Sequence, residues 1–222
     1  MEFQICRLME KFDCWLPSWE EIYENISEVA KKVKKDRYQP DIVIALSRGG
    51  FVPARIICDL MIIKDLVSVK VDHWGITAAK DGKAHLRYPI NADLSGKKVL
   101  IVDDITDTGE SIMIAKEFVK KLNPEEIRTA TIFHIKTSKF IPDYYSKKID
   151  WIWVIWPWNY VEDMCNIVSK ILDNSSRSIK EIKENLRKRF KIDLPEQEII
   201  ETMSELVARD IAAKVDAGWV KT

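Results

Sequence analysis

The stretch from Val99 to Ile112, "VLIVDDITDTGESI", constrains the fold of this chain more than any other. Four apolar residues directly precede two aspartates, and a third acid, a threonine, a glycine and a serine follow. A short apolar run bounded by polar residues is typical of a buried strand. The sequence therefore predicts a strand that ends in a polar loop, and this loop is suited to hold hydroxyl groups and a phosphate.

Apolar strands and helical patterns alternate along the chain. Ser18 and Glu21 form a capping-box pattern at the start of a helix. The predicted strands are 41–47, 67–71, 97–104, 127–135 and the aromatic segment 150–158. Strands that alternate with helices indicate an α/β fold, here a parallel five-stranded sheet flanked by helices. Ligands of such sheets bind at the carboxyl ends of the strands, where the segments "SRGG" and "DDITDTGES" both lie.

The composition changes after about Asp173. Ser178 and Glu181 form a second capping-box pattern. Pro195 is expected to begin a further helix, and Gly218 to end it. The sequence therefore predicts a domain of residues 1–170, followed by a C-terminal helical bundle of residues 171–222.

Composition excludes several classes of protein. Lys and Arg total 35, as do Asp and Glu, which argues against a general nucleic-acid binder. The four cysteines are not arranged in CxxC pairs and indicate buried thiols: Cys6, Cys14, Cys58 and Cys165. The apolar runs are shorter than the ~20 residues that span a bilayer, and the N-terminal residues lack a signal-peptide pattern. We therefore expect a cytoplasmic protein that binds neither membranes nor nucleic acid.

Each polar residue of the loop has a chemical interpretation. Asp103 and Asp104 suit the two vicinal hydroxyls of a ribose. Thr106, Thr108, Gly109 and Ser111 bring backbone N–H groups and hydroxyls to the start of a helix. An anion such as a phosphate is favoured at that place. Asp107 is an acid inside an anion-binding loop, so we assign it proton handling or a contact with a base. For "DTG" alone, an acidic turn that caps a helix is the simpler interpretation.

The whole pattern resembles the 5-phosphoribosyl-1-pyrophosphate (PRPP) loop of type I phosphoribosyltransferases. The resemblance implies that Asp103 and Asp104 bind the ribose of PRPP, and that Asp107 is catalytic. It implies a 5′-phosphate site made of Thr106, Asp107, Thr108, Gly109, Glu110 and Ser111. It further implies Mg²⁺, bound mainly through the oxygens of PRPP and pyrophosphate.

A second segment, "ALSRGGFVPARI", resembles the pyrophosphate loop of purine phosphoribosyltransferases, notably the bacterial xanthine–guanine type. In that family the Ser–Arg peptide is often cis. The resemblance implies that the leaving pyrophosphate is bound by Ser47, Arg48, Gly49 and Gly50. Residues 72–91, a long loop or an exposed hairpin, occupy the place of the family's mobile loop. Lys80, Lys83 and Arg87 either reach pyrophosphate there or are simply solvated.

The segments "TIFHIKTSKFIPDYY" and "WVIWPWN" resemble the base-binding parts of the same enzymes. The resemblance implies that Lys136 matches the lysine that contacts the 6-oxygen in 6-oxopurine enzymes, that Trp153 stacks on the ring and that Val154 offers its backbone to the ring edge. The alternative for the tryptophans is core packing: Trp151, Trp153, Trp156 and Trp158. Ile155 replaces an acid of the xanthine–guanine pattern, which removes an acceptor for the 2-amino group of guanine.

A 6-oxopurine-like core with a helical C-terminal third resembles the archaeal adenine phosphoribosyltransferases, which are built on the 6-oxopurine plan. The predicted reaction converts PRPP and a purine base, adenine favoured, to a nucleoside monophosphate and pyrophosphate. One alternative is an enzyme for hypoxanthine, guanine or xanthine. A second is a PRPP-sensing transcriptional regulator, with the basic run Arg187–Lys191 in its recognition bundle. A homodimer is expected from the family.

Overall fold

The computed structural model describes residues 11–73, 84–216 and 218–222. Its helices are α1 (Trp19–Lys35), α2 (Phe51–Met61), α3 (Glu110–Lys120), α4 (Tyr160–Ser169), α5 (Ile179–Phe190) and α6 (Glu196–Ala208). Its strands are β1 (Cys14–Trp15), β2 (Ile42–Ser47), β3 (Asp65–His73), β4 (Ala84–Tyr88), β5 (Lys98–Thr106), β6 (Glu126–Ile135), β7 (Tyr144–Ile149), β8 (Trp153–Val154), β9 (Ala212–Val215) and β10 (Gly218–Lys221).

These elements form two compact units. Residues 19–151 make the first unit, and residues 11–18 with 152–222 make the second. The boundary between the units therefore falls at residue 151, whereas the sequence suggested a functional division at residue 170. That division into residues 1–170 and 171–222 stays a prediction.

The first unit contains a six-stranded sheet of order β4-β3-β2-β5-β6-β7. Five strands, β3, β2, β5, β6 and β7 in their order across the sheet, are mutually parallel, which confirms the predicted α/β class and the number of parallel strands. The sixth strand, β4, pairs antiparallel with β3, so the two described ends of segment 72–91 form a hairpin. Lys80 and Lys83 lie outside the described residues.

One predicted strand was wrong. The last parallel strand is β7, Tyr144–Ile149, and not the aromatic segment 150–158. As an edge strand with Lys147 and Lys148 exposed, β7 has a weak apolar pattern, which explains why the sequence did not reveal it. In the aromatic segment, only the two residues of β8 form a strand, and they pair with β1.

Helices cover both faces of the sheet. Side chains at alternate positions, such as Ile42, Ile44 and Ile101, form a core with the buried face of α3. The helices α1 and α2 pack together, and both contact the sheet. Because the layers fix β2 and β5 side by side, the loops that follow these two strands emerge at the same edge.

The second unit contains α4, α5, α6 and an antiparallel hairpin of β9 and β10. The capping box of Ser178 and Glu181 is present at the start of α5, and α6 begins directly after Pro195. The expectation that Gly218 ends this helix was wrong, since α6 ends at Ala208 and Gly218 begins β10. Gly218 has a φ of 153°, and a Cβ there would lie 2.2 Å from the carbonyl oxygen of Arg177. None of the described helices is long and apolar enough to cross a bilayer.

Candidate active site

Two polar loops meet at the carboxyl ends of the neighbouring strands β2 and β5. The register pairs Ala45 with Val102, so the loops begin at the same level. A Cβ at Gly49 would lie 2.2 Å from Oδ2 of Asp104, and one at Gly50 would lie 2.3 Å from the carbonyl oxygen of Val102. Only glycine fits such close approaches. The predicted pyrophosphate and PRPP loops are therefore in direct contact.

The loop after β2 is a tight turn into α2. The Ser47–Arg48 peptide is cis, as the family resemblance implied. The N–H of Gly50 donates to the carbonyl oxygen of Leu46 over 2.8 Å, and Gly50 is the N-cap of α2. Arg48 is exposed. The turn thus combines the N-terminus of a helix with a permanent positive charge, an arrangement that suits a phosphate-containing anion.

Asp103 and Asp104 are half-buried near the end of β5. Oδ1 of Asp103 accepts the N–H of Asp104 over 3.0 Å, and Oδ1 of Asp104 accepts the N–H of Ile105 over 2.7 Å. Burial, followed by the charge of Asp104, raises the pKa of Asp103 well above its ordinary value. The surroundings therefore disfavour two negative charges together, and a positive or hydrogen-bond-donating partner would relieve this repulsion.

The loop after Asp104 ends in a left-handed glycine. Gly109 is buried, has a φ of 85° and is the N-cap of α3. A Cβ at this position would lie 2.4 Å from Cβ of Phe140. The N–H of Glu110 donates to Oγ1 of Thr108 over 3.3 Å, and Ser111 follows in the first turn of α3. The backbone of the predicted 5′-phosphate loop is thus fixed at a helix N-terminus.

Asp107 and Thr106 differ in how they are placed. Asp107 is half-buried, with its Oδ1 atom fully buried. Thr106 is only 2% exposed, and its Oγ1 lies 3.1 Å from Nδ1 of His134. The Thr106 hydroxyl therefore faces the protein interior, and its predicted part in phosphate binding falls to its backbone. His134 is not among the residues predicted from the sequence, although its place near the carboxyl end of a strand was a usable signal.

Lys136 directly follows β6 in the first unit. Its N–H donates to the carbonyl oxygen of Ile149 over 2.9 Å, and its Nζ lies 2.8 Å from Oδ2 of Asp150. Both side chains are exposed, Lys136 at 51% and Asp150 at 83%, so solvent screens this ion pair. Arg87 lies in β4, with its guanidinium 5.2 Å from the ring centroid of Tyr88.

Trp153 and Val154 belong to the second unit. The N–H of Trp153 donates to the carbonyl oxygen of Asp13, directly before β1, and the N–H of Ile155 donates to that of Trp15 in β1. By the alternation of a parallel ladder, the N–H and C=O of Val154 point away from β1. The ring of Trp153 makes an edge contact with Phe12 at 6.3 Å.

The other aromatic side chains of this segment pack within the unit. Trp156 is buried and stacks on Trp158 with 4.9 Å between ring centroids, which fits the core-packing alternative for these two tryptophans. Ile155 is 1% exposed, so an apolar side chain fills this position.

Metal-ligating side chains do not cluster in the described part of the chain, since no group of three or more His, Cys, Asp or Glu residues is placed to hold an ion. The Asp103–Asp104 pair fits an ion held mainly by a phosphorylated substrate, because its crowded negative charge favours a nearby cation. The hard oxygen donors of the two carboxylates suit Mg²⁺.

Comparisons with known proteins show what this chain is similar to. The phosphoribosyl transferase domain family matches residues 18–163, more than half of the chain. A xanthine-guanine phosphoribosyltransferase of Idiomarina loihiensis is 26% identical over 153 residues, which are 66% of this chain and 90% of that protein. A second one, of Cereibacter sphaeroides, is 29% identical and covers 65% and 89% of the two chains. The crystal structure of a purine phosphoribosyltransferase from Pyrococcus horikoshii is 31% identical, covers 66% and 94%, and has a TM-score of 0.58.

Proposed function

Since the chain belongs to the phosphoribosyl transferase domain family, we infer that it is a purine phosphoribosyltransferase that uses PRPP. The contact between Gly49 and Asp104 carries this proposal at the level of the site. It brings a loop suited to pyrophosphate against a carboxylate suited to ribose hydroxyls. The bond that must break in PRPP joins the ribose to pyrophosphate. The groups that would bind these two parts of PRPP are thus adjacent.

The proposed mechanism is mainly one of positioning and electrostatics. Ser47, Arg48, Gly49 and Gly50 would hold pyrophosphate, and the N–H groups from Thr106 to Ser111 would hold the 5′-phosphate. Asp103 and Asp104 would bind the ribose hydroxyls, and their negative charge would favour a ribose ring that becomes positive as pyrophosphate leaves. Mg²⁺ would supply positive charge against the pyrophosphate oxygens.

We assign Asp107 the handling of a proton on the purine. It lies in the loop that would bind the 5′-phosphate, and the resemblance to type I phosphoribosyltransferases gives this position the catalytic role. A carboxylate there can take up or return the proton at N7 of the purine as the new glycosidic bond forms at the other ring nitrogen.

For the base we retain adenine as the proposal. Ile155 offers no acceptor for a 2-amino group, which disfavours guanine. The Lys136 ammonium pairs with Asp150, and that carboxylate could accept a hydrogen bond from a 6-amino group. The names of the relatives, xanthine-guanine phosphoribosyltransferases, support the 6-oxopurine alternative. Trp153 and Val154 keep the stacking and ring-edge roles that the resemblance implies, and the homodimer and cytoplasmic location stay predictions.

The test is pyrophosphate release from PRPP and Mg²⁺ with adenine, hypoxanthine, guanine and xanthine in parallel. Turnover with adenine alone supports the proposal in full. Turnover with the 6-oxopurines would keep the enzyme class but replace adenine, and would make Lys136 the residue that selects the 6-oxygen. Failure with all four bases would contradict the enzyme assignment.

A specific feature of the second unit favours the regulator as a second candidate. Its elements run α4, a bridge between Arg177 and Trp219, α5, α6 and the β9–β10 hairpin. This is the order of a winged helix, a helix-turn-helix variant in which the later helix, here α6, enters the major groove. However, α6 has the sequence EQEIIETMSELVA, with four glutamates and no Lys or Arg, and would repel DNA phosphates.

Fluorescence anisotropy with random and genomic duplex DNA at low salt, with and without PRPP, tests the regulator. We expect binding to be weak and unaffected by PRPP. Tight binding that PRPP changes would favour the regulator over the enzyme.

A further inference from the structure

Strand β6 and the turn that follows it are attached to the PRPP loop at two points, one on each side of Asp107. Before it, Oγ1 of Thr106 lies 3.1 Å from Nδ1 of His134. After it, the carbonyl oxygen of Thr108 accepts the N–H of Lys139 over 3.3 Å. We propose that His134 is a positioning residue, which fixes Thr106 and thereby the backbone that carries Asp107 and the phosphate-binding N–H groups. This inference rests on the proposed function of the loop.

The geometry of the pair favours a fixed hydrogen bond. Thr106 and His134 are register partners in the β5–β6 ladder, so their side chains lie on the same face of the sheet. They are 2% and 1% exposed, so bulk solvent does not reach either side chain. Because Thr106 is the last residue of β5, its orientation sets the direction in which the loop leaves the sheet.

The surroundings disfavour the charged form of the imidazole. His134 is the register partner of Lys148 in β7, and its ring lies 5.1 Å from the ring of Tyr145. Burial, and then the positive charge of Lys148, lowers the pKa of His134 below its ordinary value. A neutral imidazole has one acceptor nitrogen and one donor nitrogen, so Nδ1 can either accept from or donate to the Thr106 hydroxyl.

The second attachment would not replace the first. The bond from Lys139 to Thr108 holds the loop where α3 is about to begin, whereas His134 acts where β5 ends. Losing the His134 bond would leave the Thr106 end of the interval from Thr106 to Thr108 held by the backbone ladder alone, without its side-chain bond. Asp107 lies in that interval, so both PRPP affinity and turnover should respond.

The test compares two variants of His134 with a matched control on the same strand. His134→Leu removes the ring nitrogens, whereas His134→Asn keeps a side-chain oxygen near the position of Nδ1. Thr129→Val is the control, because Thr129 is buried in β6 and its hydroxyl donates to Oδ2 of Asp143 over 2.7 Å, away from the loops. The readouts are KM for PRPP, kcat with saturating base, PRPP affinity by calorimetry and Tm.

We expect His134→Leu to weaken PRPP binding and raise its KM about tenfold, since a buried polar partner is left without its hydrogen bond. His134→Asn should recover most of that loss. Thr129→Val should lower Tm and leave the KM for PRPP unchanged. The double variant with Thr106→Val should be no worse than His134→Leu alone, because both changes remove the same interaction.

Two results would overturn the inference. One is a His134→Leu protein that loses Tm as Thr129→Val does but keeps the wild-type PRPP affinity. The other is strict additivity in the double variant. Calorimetry with the wild-type protein separates these results from failure of the proposed function. If the wild-type protein binds no PRPP, both the proposed function and the inference are wrong. If it binds PRPP, either of the two results above contradicts only the role of His134.

Discussion

The two ends of the central sheet carry polar clusters of opposite character. At the amino end, Arg128 pairs with Asp36 and Glu126, and the Tyr144 hydroxyl donates to Asp36 over 2.7 Å. Each charge there meets an opposite charge or a hydrogen-bond donor. At the carboxyl end, Asp103 and Asp104 are adjacent like charges in half-buried positions.

The pKa directions express the same contrast. The hydrogen bond from Tyr144, and then the charge of Arg128, lowers the pKa of Asp36. Burial and a neighbouring carboxylate raise the pKa of Asp103. The amino-end cluster is therefore complete in the protein alone, whereas the carboxyl-end cluster would gain most from a ligand with positive charge or hydroxyl donors. The raised pKa of Asp103 at the carboxyl end therefore supports the proposed site at this edge of the sheet.

The largest effect expected at the carboxyl end is on turnover. Asp107→Asn should lower kcat by about 10²- to 10⁴-fold, the usual contribution of a general acid or base, while PRPP affinity changes little. Steady-state kinetics and calorimetry with PRPP measure the two quantities. Asp36→Asn makes the same chemical change at the amino end and should lower Tm without changing kcat. Unchanged turnover in Asp107→Asn would remove Asp107 from the catalytic role.

The next largest effect tests the contact between the two loops. Gly49→Ala places a Cβ 2.2 Å from Oδ2 of Asp104, so either the pyrophosphate loop or the carboxylate must move. We expect kcat/KM for PRPP to fall about 100-fold, the cost of a misplacement of about 1 Å.

Gly96→Ala is the control for the loop contact. Gly96 has a φ of 69° and nothing within 4 Å of an added Cβ, so this change strains the backbone away from the site. It should lower Tm and leave kcat/KM for PRPP unchanged. Equal kinetic losses in the two variants would contradict the specific contact between Gly49 and Asp104.

A smaller effect concerns the choice of base. Asp150→Asn removes the carboxylate that pairs with Lys136, which frees the ammonium for a 6-oxygen and removes an acceptor for a 6-amino group. We expect the ratio of kcat/KM for hypoxanthine to that for adenine to rise about two- to fivefold, as befits an exposed pair. Glu28→Gln breaks an exposed pair with Lys31 in α1 and should leave the ratio unchanged. A constant ratio in Asp150→Asn would exclude Asp150 from base selection.

The sequence predicted the carboxyl end of the sheet better than its edges. Strands β2 and β5 are buried on both faces and read as continuous apolar runs, and their loops contain the glycines that close packing requires. By contrast, β7 is an edge strand whose pattern was outweighed by the tryptophans after it. Local composition cannot show which of two neighbouring segments joins a sheet, because that depends on contacts with distant residues.

The same limit explains His134 and Gly218. His134 became a candidate only when the register paired it with Thr106, and register is set by the whole ladder. Gly218 was predicted to end a helix, but a glycine is required there because β10 pairs with Arg177 and a Cβ would contact its carbonyl oxygen. Motifs with a fixed spacing along the chain were predictable, whereas pairs created by strand register were not.

The smallest effect is on stability and depends on pH. The folded-state pKa of Asp103 is raised above its unfolded value, so between these two pKa values the folded protein binds more protons. Stability of the wild-type protein therefore falls as the pH rises through this window, and Asp103→Asn has no such loss. At neutral pH we expect the Tm of Asp103→Asn to exceed that of the wild type by about 2 to 4 °C, the shift that 1 kcal/mol produces at this size.

Calorimetric melting from pH 3 to pH 8 measures this difference. The difference in Tm between Asp103→Asn and the wild type should shrink as the pH falls to the ordinary pKa range of a carboxyl group. Asp36→Asn should show the reverse at the amino end, because the folded-state pKa of Asp36 is lowered: its destabilisation is present at neutral pH and disappears in acid. If both variants lost stability at neutral pH, the charge of Asp103 would be satisfied within the protein, and the contrast between the two ends of the sheet would not identify the site.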